Sequence, residues 1–146
     1  MIRLETNSLT FFTPQEATGF EAVFFDTGIS AGFPSPAEDF NTQHLSLDKE
    51  LIKNKETTFY ARVNGQSMIG AGLDDNDLLV IDRKLEPANN KIAVCFLDGE
   101  FTVKRLRVDQ NEIWLQPENP NYPIIKITED NDFLIWGIVT NVIKKV

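Results

Sequence analysis

Apolar and polar residues follow the short periods of β-strands from residue 57 to the C-terminus. The segment TFYARV at 58–63 alternates its apolar residues with Tyr60 and Arg62, which predicts a strand with one covered face. Apart from the terminal Asp82 and Lys91, the runs LLVID at 78–82 and KIAVCFL at 91–97 are continuously apolar, a pattern typical of strands covered on both faces. Further strands are predicted at 101–108, 112–116, 124–127 and 133–143, between turns such as the Asp-Gly-Glu at 98–100. We therefore predict a mostly β domain.

One short helix is predicted ahead of these strands, at 46–54. Ser46 is a suitable N-cap, Asp48 and Glu50 lie in the first turn, and Lys53 lies near the end. The compact, β-rich domain is thus expected to begin at about residue 40.

Residues 1–40 form a phenylalanine-rich segment without a sustained period. It contains seven of the eleven phenylalanines of the chain: Phe11, Phe12, Phe20, Phe24, Phe25, Phe33 and Phe40. Such a segment is too apolar to be a solvated tail, so we interpret it as an N-terminal arm that packs on its own chain or on a partner. A plainer interpretation is that the rings complete the core of the domain.

Composition narrows the class of protein. The chain has 146 residues, 42% of them hydrophobic, and a net charge of −8, which fits one globular domain. The charge is −3 for residues 1–31 and −5 for 32–146, so we expect no direct sequence-specific binding of DNA. No apolar run reaches the roughly 18 residues of a membrane span, and no secretory leader is visible. These features predict a cytoplasmic protein that does not bind membranes, and the single cysteine, Cys95, excludes a disulfide framework.

The segment NGQSMIGAGLDDNDLLVID at 64–82 offers a candidate nucleophile. Ser67 follows a predicted strand and has glycines on both sides, so its hydroxyl can be presented from a turn. The segment is not a G-x-S-x-G nucleophile elbow, because Ile69 replaces the second glycine. On spacing alone, a turn serine that caps a short helix is the favoured interpretation.

A serine nucleophile needs a base, and two residue types can supply one. His44 is the only histidine and lies in a polar stretch typical of a surface. Lys104 lies in the strand EFTVKRLRV on the face of Thr102 and Leu106, opposite Val103 and both arginines. Partial burial there would lower its pKa and favour the neutral amine. The alternative is a lysine whose ammonium group extends to solvent from a half-exposed sheet.

Four aspartates, Asp74, Asp75, Asp77 and Asp82, surround the next turn and resemble a metal-binding loop only loosely. They lack the alternation and the terminal glutamate of an EF-hand. We interpret them as turn and solvating residues, and we expect no metal and no cofactor.

Three stretches in order, AGFPSPAEDF at 31–40, the serine segment above, and DGEFTVKRL at 98–106, resemble the UmuD branch of the LexA-type self-cleaving serine peptidases. The resemblance implies a Ser–Lys dyad, with Ser67 as nucleophile and Lys104 as general base. It also implies that the cleaved bond is Ala31–Gly32, and that the backbone N–H groups of Ser67 and Gln66 form the oxyanion hole. Gly32 suits a narrow groove because it has no Cβ. Residues 1–31 would then be an arm that self-cleavage removes, and 32–146 the peptidase and dimerisation domain.

Two positions depart from the family pattern. Asn76 replaces a glycine of the acidic turn, where asparagine tolerates the left-handed backbone. Ala31 replaces the cysteine that often precedes the scissile glycine in this branch. We expect the second change to affect the rate of cleavage more than its position.

The resemblance further implies a role in SOS mutagenesis. A RecA–single-stranded-DNA filament would stimulate cleavage, and the trimmed homodimer would join a UmuC-like translesion polymerase. A catalytically silent polymerase-binding module of the same fold is the main alternative. A LexA-type repressor fragment is less favoured, since the acidic residues 1–31 show no paired helical pattern.

Overall fold

A computed structural model of the chain describes residues 3–5, 8–15, 22–25, 42–65, 72–117, 121 and 123–146. The chain divides into two compact units. The larger comprises Met1–Gln15 and Asn54–Val146, and the smaller comprises Glu16–Lys53. The mostly β fold class is confirmed.

The described part of the larger unit is a nine-stranded antiparallel sheet in the order β1-β2-β5-β6-β11-β7-β8-β9-β10. Its strands are β1 (Arg3–Glu5), β2 (Leu9–Phe12), β5 (Thr58–Val63), β6 (Leu78–Asp82), β7 (Ile92–Leu97), β8 (Glu100–Asp109), β9 (Glu112–Gln116), β10 (Ile125–Lys126) and β11 (Phe133–Ile143). A 3-10 turn at Lys55–Thr57 precedes β5. Every strand predicted after residue 57 is present, four of them with the predicted bounds.

The smaller unit contains the remaining described elements. Strand β3 (Ala22–Phe25) pairs antiparallel with β4 (Thr42–Leu45), and helix α1 (Leu47–Leu51) follows. The helix is shorter than the predicted 46–54. Ile52 already has an extended backbone, and none of the helical residues is buried, so no packing sustains further turns.

Both faces of the large sheet are covered by apolar side chains. Along β7, Val94 belongs to one core cluster, while its neighbours Ala93 and Cys95 belong to a second. Because neighbouring side chains of a strand point to opposite faces, the two clusters lie on the two sides of the sheet. This arrangement explains why 91–97 reads as a continuous apolar run.

Two-residue turns join β7 to β8 and β8 to β9. Asp98 and Gly99 have φ of 48° and 92° between the paired residues Leu97 and Glu100. Positive φ at both central positions is the requirement that makes Asp-Gly a strong hairpin signal. Gln110 and Asn111 form the second turn, also with positive φ.

The N-terminal segment enters the sheet, which corrects the expectation that the domain begins at about residue 40. Strand β2 pairs with β5 over four residues, from Leu9↔Val63 to Phe12↔Tyr60. Leu9 and Phe11 are 0% and 4% exposed. Of the two interpretations of the phenylalanine-rich arm, completion of the core is therefore the one that holds for Phe11.

Among the described residues, no helix has the length and the apolar composition needed to cross a membrane.

Candidate active site

Lys104 occupies a half-buried position in the middle of β8. It pairs with Ala93 of β7. The pairing of β8 with β9 ends at Arg105↔Gln116, and Lys104 is the residue immediately before Arg105. Burial lowers the pKa of the Lys104 ammonium group below its ordinary value. No ion pair between described residues involves Lys104, so no carboxylate among them opposes loss of its proton.

The predicted division of β8 into two faces is confirmed. Phe101 and Val103 pack with one core cluster, whereas Leu106 and Val108 pack with the other. Lys104 lies on the face of Leu106, which is fully buried. Burial on this face supplies the physical cause of the lowered pKa of Lys104.

The serine-bearing segment begins and ends at residues that hydrogen bonds tie together. Asn76 N–H donates to the Val63 carbonyl oxygen, and Val63 N–H donates to the Asp77 carbonyl oxygen, each at 2.9 Å. Gly65 N–H donates to Asp75 Oδ1 at 2.6 Å. Described residues that precede and follow segment 66–71 are thus hydrogen-bonded to one another.

Asn76 confirms the expectation for the acidic turn. Its φ is 69°, in the left-handed region that asparagine tolerates better than most residues. The departure from glycine is thus compatible with the turn that follows the serine segment.

A C-terminal lysine stabilises the same turn, which the sequence did not indicate. Lys144 Nζ is 3.1 Å from Asp74 Oδ2 and also bonds Asp77 Oδ2. Asp77 is only 4% exposed, and its carboxylate also accepts the Asp74 N–H at 2.9 Å. The hydrogen bond with Asp77 raises the pKa of Lys144. These aspartates are therefore structural residues, and only some of the four predicted as solvating are exposed.

Asp82, like Asp77, is buried, which corrects its interpretation as a solvating residue. It is 5% exposed and accepts hydrogen bonds from Asn54 Nδ2 and Thr57 Oγ1, each at 2.7 Å, and from Lys84 N–H at 2.9 Å. Desolvation pushes the pKa of the carboxyl group up, but these hydrogen bonds together outweigh it, so the pKa is lowered. Asp82 thus fixes the entry into β5.

The other predicted site residues fall outside the described residues. They are Ser67 and Gln66 in segment 66–71, and Ala31 and Gly32 in segment 26–41. The latter segment connects β3 to β4. The Ser67–Lys104 dyad, the oxyanion hole and the cleaved bond therefore stay predictions. His44 is described, on β4, and its side chain is exposed, which agrees with a surface histidine.

One core cluster contains residues of both sequence segments that carry the predicted dyad, although Lys104 itself lies on the other face of β8. Val63 and Leu73, which are buried residues on either side of the serine segment, share that cluster with Val103, the neighbour of Lys104. The flanks of the serine segment and the strand of the lysine thus belong to one packed unit.

Comparison with known proteins assigns the family. The profile of the Peptidase S24-like family matches residues 23–140, which is most of the chain. This chain belongs to the S24-like peptidase family. The match spans the connection that holds Ala31 and Gly32, the serine segment and Lys104.

Curated relatives match most of this chain. Protein MucA of Salmonella typhimurium is 40% identical over 119 residues, which is 81% of each chain. Protein SamA of Salmonella typhimurium strain LT2 is 40% identical over 131 residues, 90% of this chain and 91% of that protein. The LexA repressor of Delftia acidovorans is 36% identical over 116 residues, 80% of this chain but 51% of the repressor. The resemblance to the UmuD branch is confirmed.

Proposed function

We propose that this S24-like protein cleaves its own Ala31–Gly32 bond with a Ser67–Lys104 dyad, in a role of the SOS-mutagenesis type. The observation that carries the proposal is the state of Lys104. It is a half-buried lysine with a lowered pKa and no carboxylate partner among the described residues. These properties are those that a lysine needs to act as a general base.

In the proposed reaction the neutral amine of Lys104 takes the hydroxyl proton of Ser67 as its oxygen attacks the Ala31 carbonyl carbon. The backbone N–H groups of Ser67 and Gln66 stabilise the oxyanion. The protonated amine then gives the proton to the nitrogen of Gly32, which leaves as a new N-terminus. Water hydrolyses the acyl-serine ester, and residues 1–31 end in a free carboxylate.

The biological setting of the proposal follows the UmuD branch. A RecA–single-stranded-DNA filament stimulates the cleavage in the cytoplasm. Residues 32–146 then act as a homodimer that joins a UmuC-like translesion polymerase. No metal or other cofactor takes part.

The pH dependence of the cleavage rate tests the role of Lys104. We expect the first-order rate to rise with pH and to level off near the lowered pKa of Lys104, because only the neutral amine accepts the proton. Lys104→Ala should reduce the rate by about 10²–10⁴-fold, the usual contribution of a general base. Lys91→Ala, which removes an exposed lysine, is the matched control and should keep the wild-type profile.

Two outcomes would contradict the proposal. An unchanged rate in Lys104→Ala would exclude this lysine as the base. Absence of cleavage in the wild type, even with an activated RecA filament, would favour the catalytically silent polymerase-binding module.

A further inference from the structure

The proposed cut does not coincide with the division of the molecule into units. Residues 1–31 supply the segment Met1–Gln15 of the larger unit. They also supply the first part of the smaller unit, which as a whole comprises Glu16–Lys53. Residues 32–146 supply the rest of both. Hydrolysis of one peptide bond in the connection between β3 and β4 therefore leaves each unit built from both products.

In the larger unit, the N-terminal product is held by an apolar contact in the core. Leu9 and Phe11 are 0% and 4% exposed. The Phe11 ring lies with its centroid 5.0 Å from that of Phe101 and 4.7 Å from that of Trp136. Both aromatic partners belong to residues 32–146, so this contact would join the two products without a covalent bond.

Polar contacts fix the register of the same strand. Asn64 N–H donates to the Ser8 carbonyl oxygen at 2.9 Å, and Ser8 Oγ donates to the Phe101 carbonyl oxygen at 3.2 Å. Asn64 Nδ2 donates to Thr10 Oγ1 at 2.8 Å, and Thr10 is 5% exposed. The contacts are specific to this segment, because they satisfy polar groups that loss of β2 would leave exposed or unpaired.

In the smaller unit, the two products would also meet along a strand pair. Strand β3 precedes the cut and β4 follows it, and they pair over four residues from Ala22↔Leu45 to Phe25↔Thr42. The N-terminal product thus contributes a paired strand to each unit.

We propose that the severed segment 1–31 stays bound after cleavage, as strand β2 along the edge of β5 and as strand β3 along β4. The binding surface is the edge of β5 with the apolar site that Leu9 and Phe11 fill, and its occupant is the chain's own N-terminal segment. Cleavage removes a covalent link, and exposure of the β5 edge requires a separate dissociation step. The proposal rests on the proposed cleavage at Ala31–Gly32.

The test uses the full chain cut by two independent routes. One sample is the self-cleaved wild type. The other carries Ser67→Ala together with an inserted recognition site for a sequence-specific protease next to residue 31, so that the cut does not depend on the dyad. Native mass spectrometry and size-exclusion chromatography at micromolar concentration then report whether the two products remain together.

We expect both products in one complex, with hydrogen-exchange protection of the β5 amides, Thr58–Val63, as in the uncut chain. Phe11→Ala should weaken binding of the N-terminal product by about 100-fold or more, as expected from loss of a buried phenylalanine. Gln15→Ala, an exposed position in the same segment, is the matched control and should retain the complex.

Separation of the wild-type products at micromolar concentration, with residues 32–146 still folded, would overturn the proposal. Equal retention in Phe11→Ala would also overturn it, since β2 would not be the anchor. If Phe11→Ala fails to fold before the cut, loss of β5 protection in the cut wild type would overturn it instead. If the products stay together in the protease-cut sample while the wild type does not cleave itself, the bound segment is supported and the proposed dyad is contradicted.

Discussion

Replacing Phe11 with alanine should destabilise the larger unit more than any change at an exposed apolar residue. Burying a phenylalanine side chain contributes about 1.5–3 kcal/mol, and the cavity left behind raises the cost of Phe→Ala to about 3–5 kcal/mol. Phe11 is 4% exposed and contacts two aromatic rings, but β2 lies near the sheet edge, where the site can partly collapse. We therefore expect a loss of about 3 kcal/mol in the free energy of unfolding.

The assay is urea unfolding followed by tryptophan fluorescence, since Trp136 lies beside the Phe11 ring. Both proteins carry Ser67→Ala, so that self-cleavage does not complicate the transition. Leu134→Ala removes a side chain that is 56% exposed and should change the free energy of unfolding by no more than about 0.5 kcal/mol. A loss below about 1 kcal/mol for Phe11→Ala would refute the assignment of the N-terminal segment to the core.

Four further predictions concern the rest of the larger unit. Asp82→Ala should cost about 2–3 kcal/mol because it removes three part-buried hydrogen bonds to the carboxylate. Urea titrations should show this cost above the ordinary pKa of 3.8 and a smaller one as pH falls through the lowered folded value, and a pH-independent difference would contradict it. Burial raises the pKa of Cys95 to about 12, so a thiol reagent at mildly alkaline pH should label it only on unfolding, and rapid labelling of the native protein would be inconsistent with its place in β7. In the wild type, the free energy of unfolding should rise as pH increases from the lowered folded pKa of Lys104 toward its ordinary value of 10.5, because the folded protein then loses a charge that burial disfavours. Lys104→Met should abolish this rise, and identical pH curves for the two proteins would show that Lys104 is not desolvated. Gly137→Ala should lower the melting temperature, because its Cβ would lie 2.6 Å from Cγ2 of the buried Ile81, and a neutral effect would contradict this close approach.

The strands of the large sheet could be predicted from the sequence because each carries a strong local signal. The run at 133–143 is a single apolar segment with turn residues before it, and the strand has those bounds. The Asp98–Gly99 turn carries its own conformational requirement in two residues. The faces of β8 followed from alternation alone, which is why the sequence sufficed to place Lys104 on the face of Leu106.

The features that the sequence did not predict depend on contacts between distant residues. Strand β2 has only four residues, too few for a period, and its burial comes from pairing with β5, which lies far along the chain. Lys144 lies two residues before the last residue, beside another lysine, and only the fold brings it to Asp77. Asp82 resembled a solvated turn residue because its donors are supplied by Asn54 and Thr57 from a separate segment.

The catalytic assignment combines both kinds of information. Family membership and the position of Lys104 in β8 favour the dyad, while Ser67 and the Ala31–Gly32 bond stay predictions from sequence. Hydrogen bonds of Gly65 and Val63 with Asp75, Asn76 and Asp77 connect described residues on the two sides of the serine segment.

The most direct test of self-cleavage is the intact mass of the purified protein over time at mildly alkaline pH, first alone and then with activated RecA filament. Wild type should yield two fragments with the masses of residues 1–31 and 32–146, and Ser67→Ala and Lys104→Ala should remain whole under the same conditions. Fragments from Ser67→Ala, or a cut at a bond other than Ala31–Gly32, would contradict the account.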